Sequence, residues 1–464
     1  MNELEISPLD GRYKDRLKDL SEYFSESALM YTRCDVEISY ASFLERKTNV
    51  FPIFTWQERD AISDYMSAAL YGDFGLQRIK EIESVVNHDV KACEIFLREK
   101  LNLSNPNIIH FGLTSEDINN LSYSILFRDF KCERQQFLLK NILEKLISMA
   151  EEYKADSFPA HTHGQMASPT TAGKEIAVFI SRLTKLYKKL CAFNFSGKLN
   201  GATGNYSAMM SAAPHIDWME FSKSFITYMG LEPNIVTTQI EDHDCWAEYF
   251  NLVRQINNVI MDLDQDMWLY LSYGYFTQEV KVEEVGSSTM PHKVNPINFE
   301  NSEGNLSLSN ALLVEMSNKL CRSRMQRDLS DSTVIRNVGV ALSHSYLGWQ
   351  ETLKGLSKLT LNKEFCINEL WAHPELLAEP VQTILKVAGV QDPYELLKGF
   401  TRGSKVNMED LIDFAEDLDV DEAVKEKLRL LTVSEYTGLA QKICEMTIED
   451  AKKELRLIYE RRNN

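Results

Sequence analysis

No apolar run in these 464 residues approaches the roughly 18 that a membrane-spanning helix needs, so nothing in the chain is expected to cross a bilayer. Positive charge is also short. Lysine and arginine total 50 against 68 aspartates and glutamates, a formal net charge of -18. Binding a polyanion requires a basic surface that displaces counterions, so no nucleic-acid polymer is expected as a partner. A small anionic ligand is a separate case, because a local arginine cluster outweighs distant charges that salt screens within about 10 Å. Close cysteine pairs are missing as well. Cys34, Cys93, Cys132, Cys191, Cys245, Cys321, Cys366 and Cys444 are scattered, which argues for reduced thiols over a disulfide framework or a zinc cluster. There is no HExxH or Cys-x-x-Cys, and although His161 and His163 would share one face of an extended segment, no third ligand accompanies them. No metal is expected. The glycines of SGKLNGATG (Gly197, Gly201 and Gly204) lack the spacing and the Gly-Lys-Ser/Thr ending of a phosphate loop, so no cofactor is implied either. The opening MNELEISPLDGRY is acidic and polar where a secretory leader would be basic and then apolar, and a cytoplasmic location is the expectation.

The 12 prolines cluster in a few places, and the intervals between them carry helical periodicity. The longest run from Asn107 to Phe158, from Asn234 to Met290 and from Ile297 to His373. Within them Leu252, Ile256, Ile260, Leu263, Met267 and Leu271 recur at spacings of three and four, as do Leu138, Ile142, Leu146 and Met149. Ile176, Ile180, Leu183, Leu186, Tyr187 and Leu190 form a third stripe. Strands do not alternate with helices and no repeat is present, which disfavours a parallel-sheet nucleotide fold and predicts an all-α chain built on a central bundle of long helices. Proline breaks at Pro8, Pro52 and Pro106, and again at Pro374, Pro380 and Pro393, suggest three helical domains: 1–110, 111–365 and 366–464.

Several polar segments adjoin these helices without a hydrophobic rationale. They are VNHDVK around His88, HFGLTSEDINN from His110, HTHGQ from His161, TQIEDHD from Thr238, GSSTMPHKVNP from Gly286 and SRMQRDLSDSTVIRN from Ser323. Thr114 or Ser115, followed by Glu116 and Asp117, has the pattern of a helix N-cap. Collectively the segments supply imidazoles, hydroxyls, amides, lysines and arginines, a set suited to a polyanionic small molecule. GSSTMPHKVNP breaks the helical pattern: Gly286 allows backbone angles closed to other residues, and Pro291 and Pro296 keep the stretch (285–298) out of the flanking helices. Such a segment is expected to act as a lid.

GSSTMPHKVNP resembles the signature of the fumarase/aspartase superfamily. With SPLDGRY, NHDVK, TSEDINN, HTHGQ and QRDLSDSTVIRN in this order, the chain resembles the adenylosuccinate lyase family within it over most of its length. A fumarase or aspartase would have Gly at the position of His292, and an argininosuccinate lyase Gln. Met166 after HTHGQ departs from the Pro expected there. The resemblance implies elimination of fumarate from a succinylated purine nucleotide, with a related fumarate-releasing lyase or a non-catalytic structural homologue as rival readings. It also implies a homotetrameric helical core whose active sites are completed by neighbouring subunits.

That chemistry needs a base for a weakly acidic C–H, a stabiliser for the carbanion and an acid for the departing nitrogen. By the resemblance Ser287 is the base and His163 the acid, an imidazole being able to exchange protons near neutral pH. Serine is a poor base unless nearby cations or backbone donors lower its pKa, and Lys293, six residues on, is a candidate for that role. Lys293, with Asn295, Thr114, Ser115 and Ser288, would hold the succinyl carboxylates. Asn87, His88 and Asp89 would lie beside the reacting centre, and His88 could exchange roles with His163. Arg12, Tyr13, Arg327, Ser332, Thr333 and Arg336 would bind the phosphate, for which the arginine fork is well suited. Gln239 would contact substrate and Asn301 would act near the lid. His110, His161, His215, His243, His344 and His373 are taken as structural.

Overall fold

The 30 residues Asp244–Tyr273 form one unbroken helix in the computed structural model of the chain. The stripe anticipated for it is buried: Ile256, Ile260 and Leu263 are 0% exposed and Met267 1%. The structure describes residues 5–70, 74–279, 290, 293–401 and 407–463. The elements that bear on the site are, in chain order, α1 (Glu26–Lys47), α2 (Asp89–Leu101), α3 (Ser115–Phe130), α4 (Gln136–Tyr153), β1 (Ser157–Thr162) and β2 (Gln165–Thr171). After these come α5 (Ala172–Ala192), α6 (Asp244–Tyr273), α7 (Ile297–Leu320), α8 (Ser330–Ile335), α9 (Val338–Ser357) and α10 (Ala440–Asn463). Strands among the described residues are confined to three two-stranded pairs, so the chain is all-α as expected. No described helix is long and apolar enough to cross a membrane.

The chain divides into two compact units, each assembled from remote segments. The first holds residues 1–138, 189–258 and 304–348, and the second 139–188, 259–303 and 349–464. The division at 110 and 365 expected from proline follows sequence order instead, because proline marks where helices stop and not which neighbours they find.

In the first unit α1 packs on α3, and aromatic rings fill the space around them. Tyr40 and Phe43 meet Phe225 edge-on, with centroids 5.7 and 5.4 Å apart, and Phe127 meets Trp246 at 5.4 Å. Each such ring, taken out of water, contributes roughly 1.5–3 kcal/mol before entropy is subtracted.

In the second unit β1 and β2 form an antiparallel hairpin whose register shifts between Phe158 and Ala160. Pro159 sits at the shift, where a residue without an N–H cannot continue the ladder. Phe158 packs edge-on against Tyr270 at 4.9 Å, and the His161 ring stacks on Tyr273 at 5.1 Å. Burial lowers the His161 pKa.

Candidate active site

The first unit gathers several of the polar segments, and each is shaped by a local rule. Asn87 ends the helix Leu76–Val86 in the left-handed region (φ 52°), which asparagine tolerates. His88 then caps α2, its Nδ1 accepting the Lys91 N–H at 3.3 Å. An imidazole nitrogen that accepts carries no proton, so neutral His88 presents Nε2–H, which lies 3.5 Å from Ser115 Oγ. Thr114 precedes α3 as its N-cap, as expected, and its N–H donates to Asp117 Oδ2 at 2.8 Å. Asp117 also accepts the N–H groups of Asn200 (3.0 Å) and Gly201 (3.1 Å) and pairs with Lys198 Nζ (2.9 Å). Residues 197–201 of the SGKLNGATG stretch are therefore a buried brace that holds Asp117 and, through it, Thr114.

Beside them lies a cleft of about 530 Å³, within the roughly 300–1,000 Å³ usual for small-molecule sites. Asn87, His88, Asp89, Thr114, Ser115, Gln239, Arg327, Ser332 and Arg336 all face it. The arginines are held very differently. Arg33, 3% exposed, pairs with Asp89 at 2.9 Å and donates to Asn119 at 3.0 Å. Among the described residues Arg327 has only 3.4 Å contacts, to Glu116 and Gln239, and the exposed Arg336 only a 3.4 Å contact to Asp89. Contacts of that length are weak, so an incoming anion can displace them. Burial raises the Asp89 pKa, but Arg33, the Val90 N–H and Arg336 outweigh it and leave the carboxyl below its usual range. At Glu116 burial wins over His243 and Arg327, and the pKa is raised.

Other expected residues lie elsewhere. Arg12 and Tyr13 belong to the first unit but do not line the cleft, and neither does Thr333 on α8. His163, Lys293, Asn295 and Asn301 are in the second unit. His163 is exposed and, with Gly164, makes the two-residue turn between β1 and β2, at φ 52° and 73°. It does not share a strand face with His161, because the strand ends at Thr162. Ser287, Ser288 and His292 lie outside the described residues.

Residues 11–309 match the family model described as Lyase, and residues 323–437 the one described as Adenylosuccinate lyase C-terminal. The adenylosuccinate lyase of Haemophilus influenzae is 43% identical over 447 residues, covering 95% of this chain and 98% of its own. That of Escherichia coli is 42% identical over 445 residues, covering 94% and 96%. The chain belongs to the adenylosuccinate lyase family. Two solved structures share the fold at lower identity: a fumarate lyase from Mesorhizobium (TM-score 0.77, 16% identity, 94% of this chain and 97% of that one) and a 3-carboxy-cis,cis-muconate lactonizing enzyme from Pseudomonas putida (0.77, 17%, 94% and 98%).

In this member of the adenylosuccinate lyase family the cleft also contains residues that the sequence did not assign to a site, among them Arg33, Glu116, Asn119, Tyr123, His243 and Trp246. Burial pushes the Tyr123 phenol up to about 12 despite Arg33 and Arg336 nearby. Arg33 had a usable signal. A guanidinium at a buried position of a helix must be paired, and Asp89 of NHDVK is its partner. His243, taken as structural, turns out to line the cleft.

Proposed function

We propose that this chain is the lyase that releases fumarate from adenylosuccinate to give AMP, and from the succinyl-aminoimidazole carboxamide ribotide to give the free carboxamide ribotide. Kinship along nearly the whole chain supports this reading. The observation that carries it is the cleft itself, where the loosely held Arg327 and Arg336 stand with His88, Thr114 and Ser115.

In the proposed reaction Ser287 takes a proton from the carbon next to the one bearing the nitrogen. The C–H electrons move into the adjacent carboxylate, whose charge Lys293, Asn295, Thr114, Ser115 and Ser288 offset. They then return to form the double bond of fumarate as the C–N bond breaks, and His163 gives its proton to the departing nitrogen. His88 presents Nε2–H and orients the substrate together with Asn87 and Asp89. Arg327, Arg336, Ser332, Thr333, Arg12 and Tyr13 take the phosphate, with Gln239 and Asn301 as further contacts. The position of His163 at an exposed turn, in a backbone region that costs a side chain energy, supports a role beyond folding.

The same reading includes a homotetramer with shared sites and a cytoplasmic location. Apolar residues left on the long helices support the first, among them Leu308 on α7 (57% exposed), Val178 on α5 (40%) and Trp268 on α6 (40%). Eight free cysteines support the second.

The test is to incubate the pure protein with adenylosuccinate, the carboxamide ribotide and argininosuccinate while following fumarate by ultraviolet absorbance. Release from the first two is expected. Activity on argininosuccinate alone would overturn the reading.

A further inference from the structure

One histidine of the cleft is explained neither by the fold nor by the reaction just described. His243 is 2% exposed and holds a left-handed backbone (φ 62°) immediately before α6. Its ring stacks on Trp246, with centroids 4.1 Å apart and planes 12° from parallel, and both rings line the cleft. Nδ1 lies 3.2 Å from the Leu320 carbonyl oxygen. A carbonyl only accepts, so Nδ1 carries the proton, and in the neutral ring Nε2 is left as a lone-pair acceptor. Among the described residues nothing donates to it: Nε2 is buried and unpartnered. Buried polar atoms are almost always satisfied, and an exception on a cleft wall points to an absent ligand.

The same cleft holds a second orphan of opposite character. Arg327 Nε is buried without a partner among the described residues, and the terminal nitrogens of this arginine have only the 3.4 Å contacts to Glu116 and Gln239. One unsatisfied acceptor and one unsatisfied cationic donor therefore belong to two residues that line the same cleft. A ligand carrying an anion close to a hydroxyl satisfies both, and a sugar phosphate has that pairing.

We propose that His243 is a further ligand-contacting residue, whose Nε2 accepts a hydrogen bond from a ribose hydroxyl of the nucleotide while Arg327 meets the phosphate. This rests on the nucleotide reading above and deepens it. His88 and His243 then divide the work through opposite tautomers: His88 offers an N–H and His243 a lone pair.

The experiment compares wild type, H243F and H243Q on adenylosuccinate and its 2′-deoxy and 3′-deoxy forms, with calorimetric binding of AMP, 2′-deoxy-AMP and 3′-deoxy-AMP alongside. Phenylalanine keeps a ring to stack on Trp246 but has no acceptor, and glutamine restores one. In wild type, removing one of the two hydroxyls should lower kcat/KM and affinity about tenfold, the size of one ordinary hydrogen bond. H243F should lose that preference, falling about tenfold on the ribonucleotide and little on the deoxy form, and H243Q should recover part of it. An H243F protein that still prefers the ribonucleotide by the wild-type factor overturns the proposal. So does a wild type that treats all three sugars alike, which decides the matter even if the variants fail to fold. Wild type that binds AMP with the expected preference but releases no fumarate would overturn the activity and leave this contact supported.

Discussion

Lys198 Nζ and Asp117 Oδ1 lie 2.9 Å apart with both side chains at 0% exposure, joining residues 81 positions apart in the chain. Lys198 also donates to the Gly201 carbonyl at 3.0 Å, and Asp117 accepts the Thr114 N–H, so the pair ties the cleft wall to the core. Breaking a buried ion pair strands the remaining charge, at a cost of about 3–5 kcal/mol. Lys198→Met is therefore expected to lower the thermal unfolding midpoint clearly, and a midpoint equal to that of wild type would show that Asp117 is satisfied by backbone donors alone.

His163 is placed by a turn whose two central residues both have positive φ. Asparagine followed by glycine is the preferred pair for that geometry, so His163→Asn keeps or strengthens the hairpin while removing the imidazole. Circular dichroism and the unfolding midpoint should match wild type or exceed it. Fumarate release should fall by about 10²–10⁴-fold, the usual worth of a general acid. Unchanged turnover in a well-folded variant would mean that the proton comes from another group.

His110 Nδ1 lies 2.5 Å from Glu37 Oε1, with the two side chains 15% and 0% exposed. Burial lowers the His110 pKa, but Glu37, Glu94 and Asp117 outweigh it, and the folded value is raised above 6.5. A raised folded pKa contributes stability that is complete below the unfolded value and is lost as pH rises through the folded one. The unfolding midpoint of wild type should thus exceed that of His110→Gln most at pH 6, with the gap narrowing toward pH 9. A gap that widens with pH would show that His110 is neutral in the native state.

The long stripes were legible because burial on one helix face repeats every three to four residues, and the stripe of α6 is buried as its spacing implied. Thr114 was legible as a cap because a hydroxyl before acidic residues has a local reason to be there. The hairpin around His163 was not seen. Its strands are short, and Pro159 interrupts their alternation. The place of His243 on the cleft wall was not legible, because a lone histidine carries no sign of whether its second nitrogen finds a partner.

Helical content, the caps and the family pattern followed from local order along the chain, since backbone geometry and apolar period act over a few residues. Tertiary structure alone decided that Asp89 spends itself on Arg33 while Arg327 and Arg336 stay loosely held, and that Lys198 braces Asp117. The reason is physical: whether a buried charge or ring nitrogen is satisfied depends on atoms within about 3 Å, and those come from segments the sequence keeps far apart.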